Sequence, residues 1–260
     1  MGIKSKTQKE IQLMREGGRI LASALQKVSD SVQIGMRLSE LDALAANHLT
    51  KAGGELAFRG YKGVRGVPPY PATLCASLND EVVHGIGTRD IVLKGGDIVG
   101  LDLGVRYPAT TGLYTDMAIT VGVGHISDTA TNLINVTKES LDQAIRLVKP
   151  GQDIRAISRH IQKFCESHGY GVIRDLTGHG IGYALHEDPA IFNYDEPRHP
   201  SCILEEGMTI CIEPMISAGS WEVTVDPDGW TIRTADRSLA AHFEHTILVT
   251  AQGSEVLTHF

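Results

Sequence analysis

Four carboxylates sit where this chain would otherwise pack a core. Asp102 closes the apolar run Gly96-Asp97-Ile98-Val99-Gly100-Leu101-Asp102, and Asp116 opens Asp116-Met117-Ala118-Ile119-Thr120-Val121. The second half repeats both phrases. Gly207-Met208-Thr209-Ile210-Cys211-Ile212-Glu213 again reads glycine, five residues, acid, and Glu244-His245-Thr246-Ile247-Leu248-Val249 again reads acid, two residues, Ile, one residue, Val. Such β-branched runs read as strands, and a charge within one is costly unless something neutralises it. Side chains alternate along a strand, so Asp102 shares a face with Ile98 and Gly100, and Glu213 with Thr209 and Cys211. If a pseudo-twofold axis relates the halves, Asp102 meets Glu213 and Asp116 meets Glu244. Four carboxylates so placed cannot all ionise without cations, and two divalent ions supply the matching charge.

The rest of the chain fits a soluble globular protein. Hydrophobic residues make up 42% and charged residues 21% of 260, which excludes disorder. The formal charge of −7 is spread out with no cluster of Lys and Arg, so nucleic-acid binding has no electrostatic support. The four cysteines form no C-x-x-C pair, as expected for reduced thiols in the cytoplasm. The start, Met1 to Lys6, is polar and no run is long and apolar enough for a membrane helix.

Thr7 and Glu10 have capping-box spacing, and Ile11, Met14, Leu21, Leu25 and Val28 recur near the helical period. This predicts a first helix to about Val28. Leu38, Leu41, Ala45 and Leu49 predict a second, stopped by Gly53-Gly54. A loop is expected over Phe58–Pro71, then strands over Thr73–Val83 and Ile98–Asp102, a turn-rich link from Tyr107 to Gly112, and the Asp116 strand. The second half repeats the order: a helix over Thr129–Val148, another from Ile154 to Gly169, and strands from Gly171, over Gly207–Ile216 and over His242–Val249. Aligning Gly35 on Gly151 superposes Leu38 on Ile154, Leu41 on Ile157, Ala45 on Ile161 and Gly53 on Gly169. The expectation is one α+β domain over residues 1–260, internally duplicated as halves of about 30–123 and 127–252, sharing one sheet.

His84 lies in Val83-His84-Gly85-Ile86-Gly87, and His179 and His186 share one glycine-rich stretch from Thr177 to His186. Glycines beside a histidine leave room for a ligand or a substrate backbone. His48, His168 and His242 lack such company and read as ordinary structural residues. Carboxylates with one or two imidazoles and no thiolate suit Mn, Fe, Co or Zn. Two such ions ~3.5–4 Å apart activate a shared water, so the residues by themselves lead to metal-assisted hydrolysis of an unspecified bond.

The stretches Asn79-Asp80-Glu81-Val82-Val83-His84-Gly85-Ile86, Thr177-Gly178-His179-Gly180-Ile181-Gly182, Ile212-Glu213-Pro214-Met215 and Phe243-Glu244-His245-Thr246-Ile247 resemble type I methionine aminopeptidases. That resemblance implies the pita-bread fold, an antiparallel sheet of two similar halves with helices on its outer face. It implies two divalent ions held by Asp102, Asp116, His179, Glu213 and Glu244, with Asp116 and Glu244 bridging. Glu213 is then also the proton shuttle, His186 the hydrogen-bond partner of the scissile carbonyl, and His84 a contact to the amide of the second residue. Tyr70, Cys75 and Trp230 are implied for the methionine side-chain pocket. The implied substrates are nascent polypeptides with N-terminal Met and a small second residue, met at the ribosome by a cytoplasmic monomer. With no N-terminal extension of zinc-finger spacing, the likeness is to the short bacterial form. Two departures concern the pocket: Tyr61 and Tyr70 are farther apart than the family pattern has them, and Leu185 stands where an aromatic residue is common. The link from Asp102 to Asp116 is also longer. A prolidase or Xaa-Pro aminopeptidase, and a non-catalytic protein on the same scaffold, are the competing expectations.

Overall fold

The computed structural model describes residues 4–63, 66–198 and 201–259. The first three residues of the polar start, and Val64 and Arg65 of the expected loop, lie outside these.

The predicted capping box forms. Thr7 Oγ1 accepts from the Glu10 N–H, and the Glu10 carboxylate accepts from the Thr7 N–H at 2.8 Å, opening helix α1 (Gln8–Asp30). Helix α2 (Leu38–Lys51) follows Gly35 and ends at Gly53, both at positive φ. Strands β1 (Glu55–Leu56), β2 (Cys75–Leu78), β3 (Glu81–Val83), β4 (Ile98–Tyr107) and β5 (Leu113–Gly122) complete the first half. In the second, α3 (Asp128–Ile145) starts at the N-cap Ser127, and α4 (Ile154–Ser167) runs between Gly151 and Gly169, again both at positive φ. There follow β6 (Gly171–Val172), β7 (Thr177–Gly180), β8 (Glu187–Phe192), β9 (Thr209–Ile212), β10 (Met215–Ser217), β11 (Val223–Val225), β12 (Ile232–Thr234), β13 (Ala240–His242), β14 (Glu244–Thr250) and β15 (Gly253–Val256).

A nine-stranded antiparallel sheet runs β1-β4-β5-β14-β9-β7-β8, with β2 added beside β4 and β15 beside β14. Its central seam, β5 against β14, joins the two halves of the chain. Helices α1 and α2 pack together, as do α3 and α4, and α1 lies on β4 and β5. Leu101, Leu103 and Val105 belong to the apolar core that includes Leu21 and Leu25 of α1. Asp102 and Gly104 alternate with them and face the opposite side.

Two expected strand boundaries are wrong. Strand β4 runs on past Asp102 to Tyr107, and β5 begins at Leu113, before Asp116. The hairpin keeps one unbroken register from Ile98↔Gly122 to Tyr107↔Leu113, so both acids stand within strands. The Thr73–Val83 stretch breaks at Asn79, which is left-handed at φ 57° and uses its side chain on the Ile98 N–H and the Asp97 carboxylate.

The other departure positions the site. Gly207–Ile216 is two strands, interrupted at Glu213-Pro214, and His242–Val249 is likewise interrupted at Phe243. Pro214 has no N–H for the ladder, and the chain bends there. Before the bend β9 pairs with β14 in the large sheet, His245 opposite Ile212. After it β10 pairs with β13 in a small sheet, Met215 opposite His242. Both chains therefore leave one sheet for another at the same level, and Glu213 and Glu244 stand at that corner.

Lys6, read as part of a polar start, is buried: its ammonium pairs with Glu187 at 3.0 Å and lies over the Tyr183 ring.

Candidate metal centre

Strand register brings the acids together. Asp102 is opposite Ala118 on β5, and Ala118 is opposite Glu244 on β14. Asp116 precedes Ala118 by two residues and shares its face. The row Asp102–Ala118–Glu244 thus has a carboxylate on each side of a methyl group, with a third next to it. Across β14, His179 of β7 is opposite Cys211 of β9, two residues before Glu213. Potential ligand atoms of Asp102, Asp116 and Glu244 lie within 4.8 Å of one another, as do those of Glu213, His242 and Glu244, and those of His179, Cys211 and Glu244. The seam beside them is reinforced by two threonines. Thr246 Oγ1 donates to the Asp116 carbonyl and accepts from its N–H, and Thr120 Oγ1 does the same for His242.

The donor set fits a divalent metal. Asp102 Oδ1 and Glu244 Oε1 are buried without a hydrogen-bond partner among the described residues, an expensive state unless a cation completes it. His179 Nδ1 donates to the Gly180 carbonyl at 2.9 Å, leaving Nε2 as a lone pair 3.5 Å from Glu213 Oε1 and 3.9 Å from Glu244 Oε1. Burial lowers its pKa to about 3, so the ring is neutral and able to ligate. Burial raises the carboxyls of Asp116, Glu213 and Glu244 well above their usual range, and repulsion adds to it: from Glu244 on Asp116, from Asp102 on Glu213, and from Glu213 on Glu244. Burial also raises Asp102, against the opposing pull of His242. The Cys211 thiol is held protonated by burial and by the same carboxylates, which disfavours it as a ligand.

One cavity of about 450 Å³ is lined by all ten residues singled out from the sequence: His84, Asp102, Asp116, His179, His186, Glu213 and Glu244, with Tyr70, Cys75 and Trp230. Cys75 is opposite Asp102 on β2. Tyr70 and Trp230 meet edge to face at 5.3 Å, and the Tyr70 hydroxyl donates to the Gly85 carbonyl. Leu185 and Phe58 join the same apolar cluster. The long Tyr61–Tyr70 loop is closed at its base by the Tyr70 N–H bonding to the Tyr61 carbonyl at 2.9 Å. It leans on Trp230, whose indole N–H donates to the Pro68 carbonyl. His84, just after β3, is left-handed at φ 59° and half-buried.

Two expectations need correction. The glycines beside His179 do not leave room for substrate: a Cβ on Gly178 meets the Cys211 carbonyl oxygen at 2.3 Å, and one on Gly180 meets that of Asp188 at 2.2 Å. They seat the neighbouring strands. His242, read as an ordinary structural residue, is buried in the centre, its Nε2 3.3 Å from Glu213 Oε2. The only cue in the sequence is its place two residues before Glu244. Tyr61 and Ala118 were also missed: Tyr61 was read only for its place in the pocket loop, and Ala118, two residues from Asp116, carries no polar group.

Residues 12–251 match the metallopeptidase family M24. The chain is 41% identical to methionine aminopeptidase 1 of Bacillus subtilis, over 97% of this chain and 98% of that one. It is 40% identical to the methionine aminopeptidase of Escherichia coli K12, over 99% and 94%. The methionine aminopeptidase structure from Thermotoga maritima superposes with a TM-score of 0.93 at 43% identity, covering all of both chains. The prolidase of Pyrococcus furiosus shares the fold alone, at 23% identity and a TM-score of 0.76, with 65% of its length covered. The chain has the pita-bread fold of these enzymes and belongs to metallopeptidase family M24, among the methionine aminopeptidases.

Proposed function

We propose that this protein is a metal-dependent methionyl aminopeptidase that removes the N-terminal methionine of nascent chains whose second residue is small. The observation that carries this reading is the convergence of Asp102, Asp116, His179, Glu213 and Glu244 at one sheet corner, beside an apolar pocket. These five are the residues that would hold two divalent ions. Divalent ions held there would supply Lewis acidity, polarising a carbonyl and lowering the pKa of water from 15.7 toward ~7.

The chain's own groups do the rest. The Glu213 carboxylate takes a proton from the attacking water and passes it to the leaving amine. His186 donates a hydrogen bond to the carbonyl oxygen as negative charge develops there. His84 contacts the amide of the second residue, and Tyr70, Cys75 and Trp230 enclose the methionine side chain. The Tyr61–Tyr70 loop, packed on Trp230, shapes the far wall of that pocket. The metal is Co, Mn, Fe or Zn, chosen by affinity order and cellular supply together. No described helix is long and apolar enough to cross a membrane. We place the enzyme in the cytoplasm as a monomer that meets its substrates near the ribosome, and read its halves as a duplication within one domain.

The test compares Met-Ala-Ser with an Xaa-Pro peptide in the presence of each metal. Methionine release is expected. Faster cleavage of the proline peptide, or no release from any small-second-residue peptide, overturns the reading.

A further inference from the structure

Tyr61 stands at the base of the pocket loop, its N–H bonded to the Phe58 carbonyl and its carbonyl to the Tyr70 N–H. Its ring meets the His186 imidazole edge to face at 5.2 Å, and its hydroxyl oxygen is 2.7 Å from His186 Nδ1. Both residues line the substrate cavity. Neither the phenol nor the other ring nitrogen, Nε2, has a second hydrogen-bond partner among the described residues.

A neutral imidazole carries one N–H, and whichever nitrogen accepts a hydrogen bond leaves the proton on the other. Were Nδ1 to donate to Tyr61, Nε2 would turn a lone pair toward the cavity, and the phenolic proton of this exposed pair would have only solvent to donate to. In the opposite arrangement the phenol donates to Nδ1, and the ring keeps an N–H on Nε2 that is free to donate into the cavity. Burial raises the pKa of the Tyr61 hydroxyl, so it retains the proton it has to give.

We propose that Tyr61 is a positioning residue that sets the tautomer of His186: its O–H donates to Nδ1, so the ring proton sits on Nε2 and faces the substrate carbonyl. This rests on the reading of His186 as donor to that carbonyl. An Nε2 lone pair there would repel the developing oxyanion, whereas an Nε2–H stabilises it. Partners that orient a histidine through its second nitrogen typically change activity ~10-fold or more when removed.

The test uses Tyr61→Phe, which keeps the ring against the pocket and removes only the hydroxyl, with His186→Ala and the double variant. In metal-loaded enzyme acting on Met-Ala-Ser, Tyr61→Phe should lower kcat ~10-fold with KM nearly unchanged. On the His186→Ala background it should have no further effect. Nitrogen-15 NMR of histidine-labelled protein, metal-free and zinc-loaded, should show His186 protonated on Nε2, and a shift toward the other tautomer in Tyr61→Phe. A wild-type Nδ1–H tautomer, an undiminished kcat in Tyr61→Phe, or an equal loss on the His186→Ala background overturns the proposal. If His186→Ala itself leaves kcat unchanged, the carbonyl-donor reading fails instead, and the two failures are told apart.

Discussion

His242 Nε2 lies 3.3 Å from Glu213 Oε2, across the corner where β10 and β13 separate from β9 and β14. Each residue adjoins a strand break, His242 at the end of β13 and Glu213 just past the end of β9. The imidazole is buried, and the nitrogen has no hydrogen bond of good geometry. It sits beside one oxygen of Glu213 while the other faces His179.

His242→Ala should free Glu213 to turn and weaken metal binding by ~10–100-fold, the usual effect of losing a partner that orients a ligand. His242→Gln, whose amide can also donate, should recover most of it. Titration calorimetry with Mn or Co measures both. Equal affinity for His242→Ala and wild type would show that His242 does not hold the ligand.

On the proposed mechanism, Glu213→Gln removes an anionic ligand and the proton carrier at once. Turnover should fall by at least ~10³-fold, since general acid–base catalysis alone accounts for ~10²–10⁴. Methionine release should be measured beside metal content, because a variant fully loaded with metal and still active would contradict the proton role.

Metal binding should release protons. Asp116, Glu213 and Glu244 have raised pKa values through burial and mutual repulsion, so the metal-free folded protein binds more protons than the unfolded chain. Stability contributed by such groups falls as pH rises from the ordinary carboxylate range, about 4, through their raised values. His84 and His179, lowered to about 4 and about 3, act in the opposite sense, but only below their ordinary value of 6.5. Above pH 6.5, then, the metal-free protein should lose Tm as pH rises, and saturating metal should abolish the trend. Melting curves and calorimetry in buffers of different ionisation heat test this. A metal-free Tm that climbs over that range would refute it.

Ala118→Leu should fill the space between Asp102 and Glu244. Ala118 is buried and opposite both residues. We expect a fold destabilised by ~1–3 kcal/mol, the usual cost of overpacking, with metal binding lost. Ala118→Ser, adding one atom, should bind metal nearly as well as wild type. Urea unfolding with metal titration separates the two effects, and a Leu variant that still binds two ions would show that the row has room to spare.

The helices were readable because their signals are local: the Thr7–Glu10 capping box, the 3.6-residue apolar spacing, and left-handed glycines after α2 and α4. The four acids were readable because an acid in a β-branched run has few uses other than ligation. His242 was not, since what makes it special is a break two strands share, at Pro214 on one and Phe243 on the other, which no pattern within either strand reveals. The glycines of the His179 stretch were misread for a related reason: a missing side chain in the sequence does not say what approaches, and here it is the carbonyls of Cys211 and Asp188.

By itself, then, the sequence determined the element types, the acids and histidines that come to line one cavity, and the apolar faces that drive the sheet under its helices. Only the tertiary structure decided that Ala118 separates the carboxylates, that Tyr61 reaches His186 and that His242 reaches Glu213. Periodicity and capping act within a few residues of chain. These three contacts join positions that are distant in sequence or on different strands, and their geometry is set by strand register and by the sheet corner, which exist only once the halves have packed together.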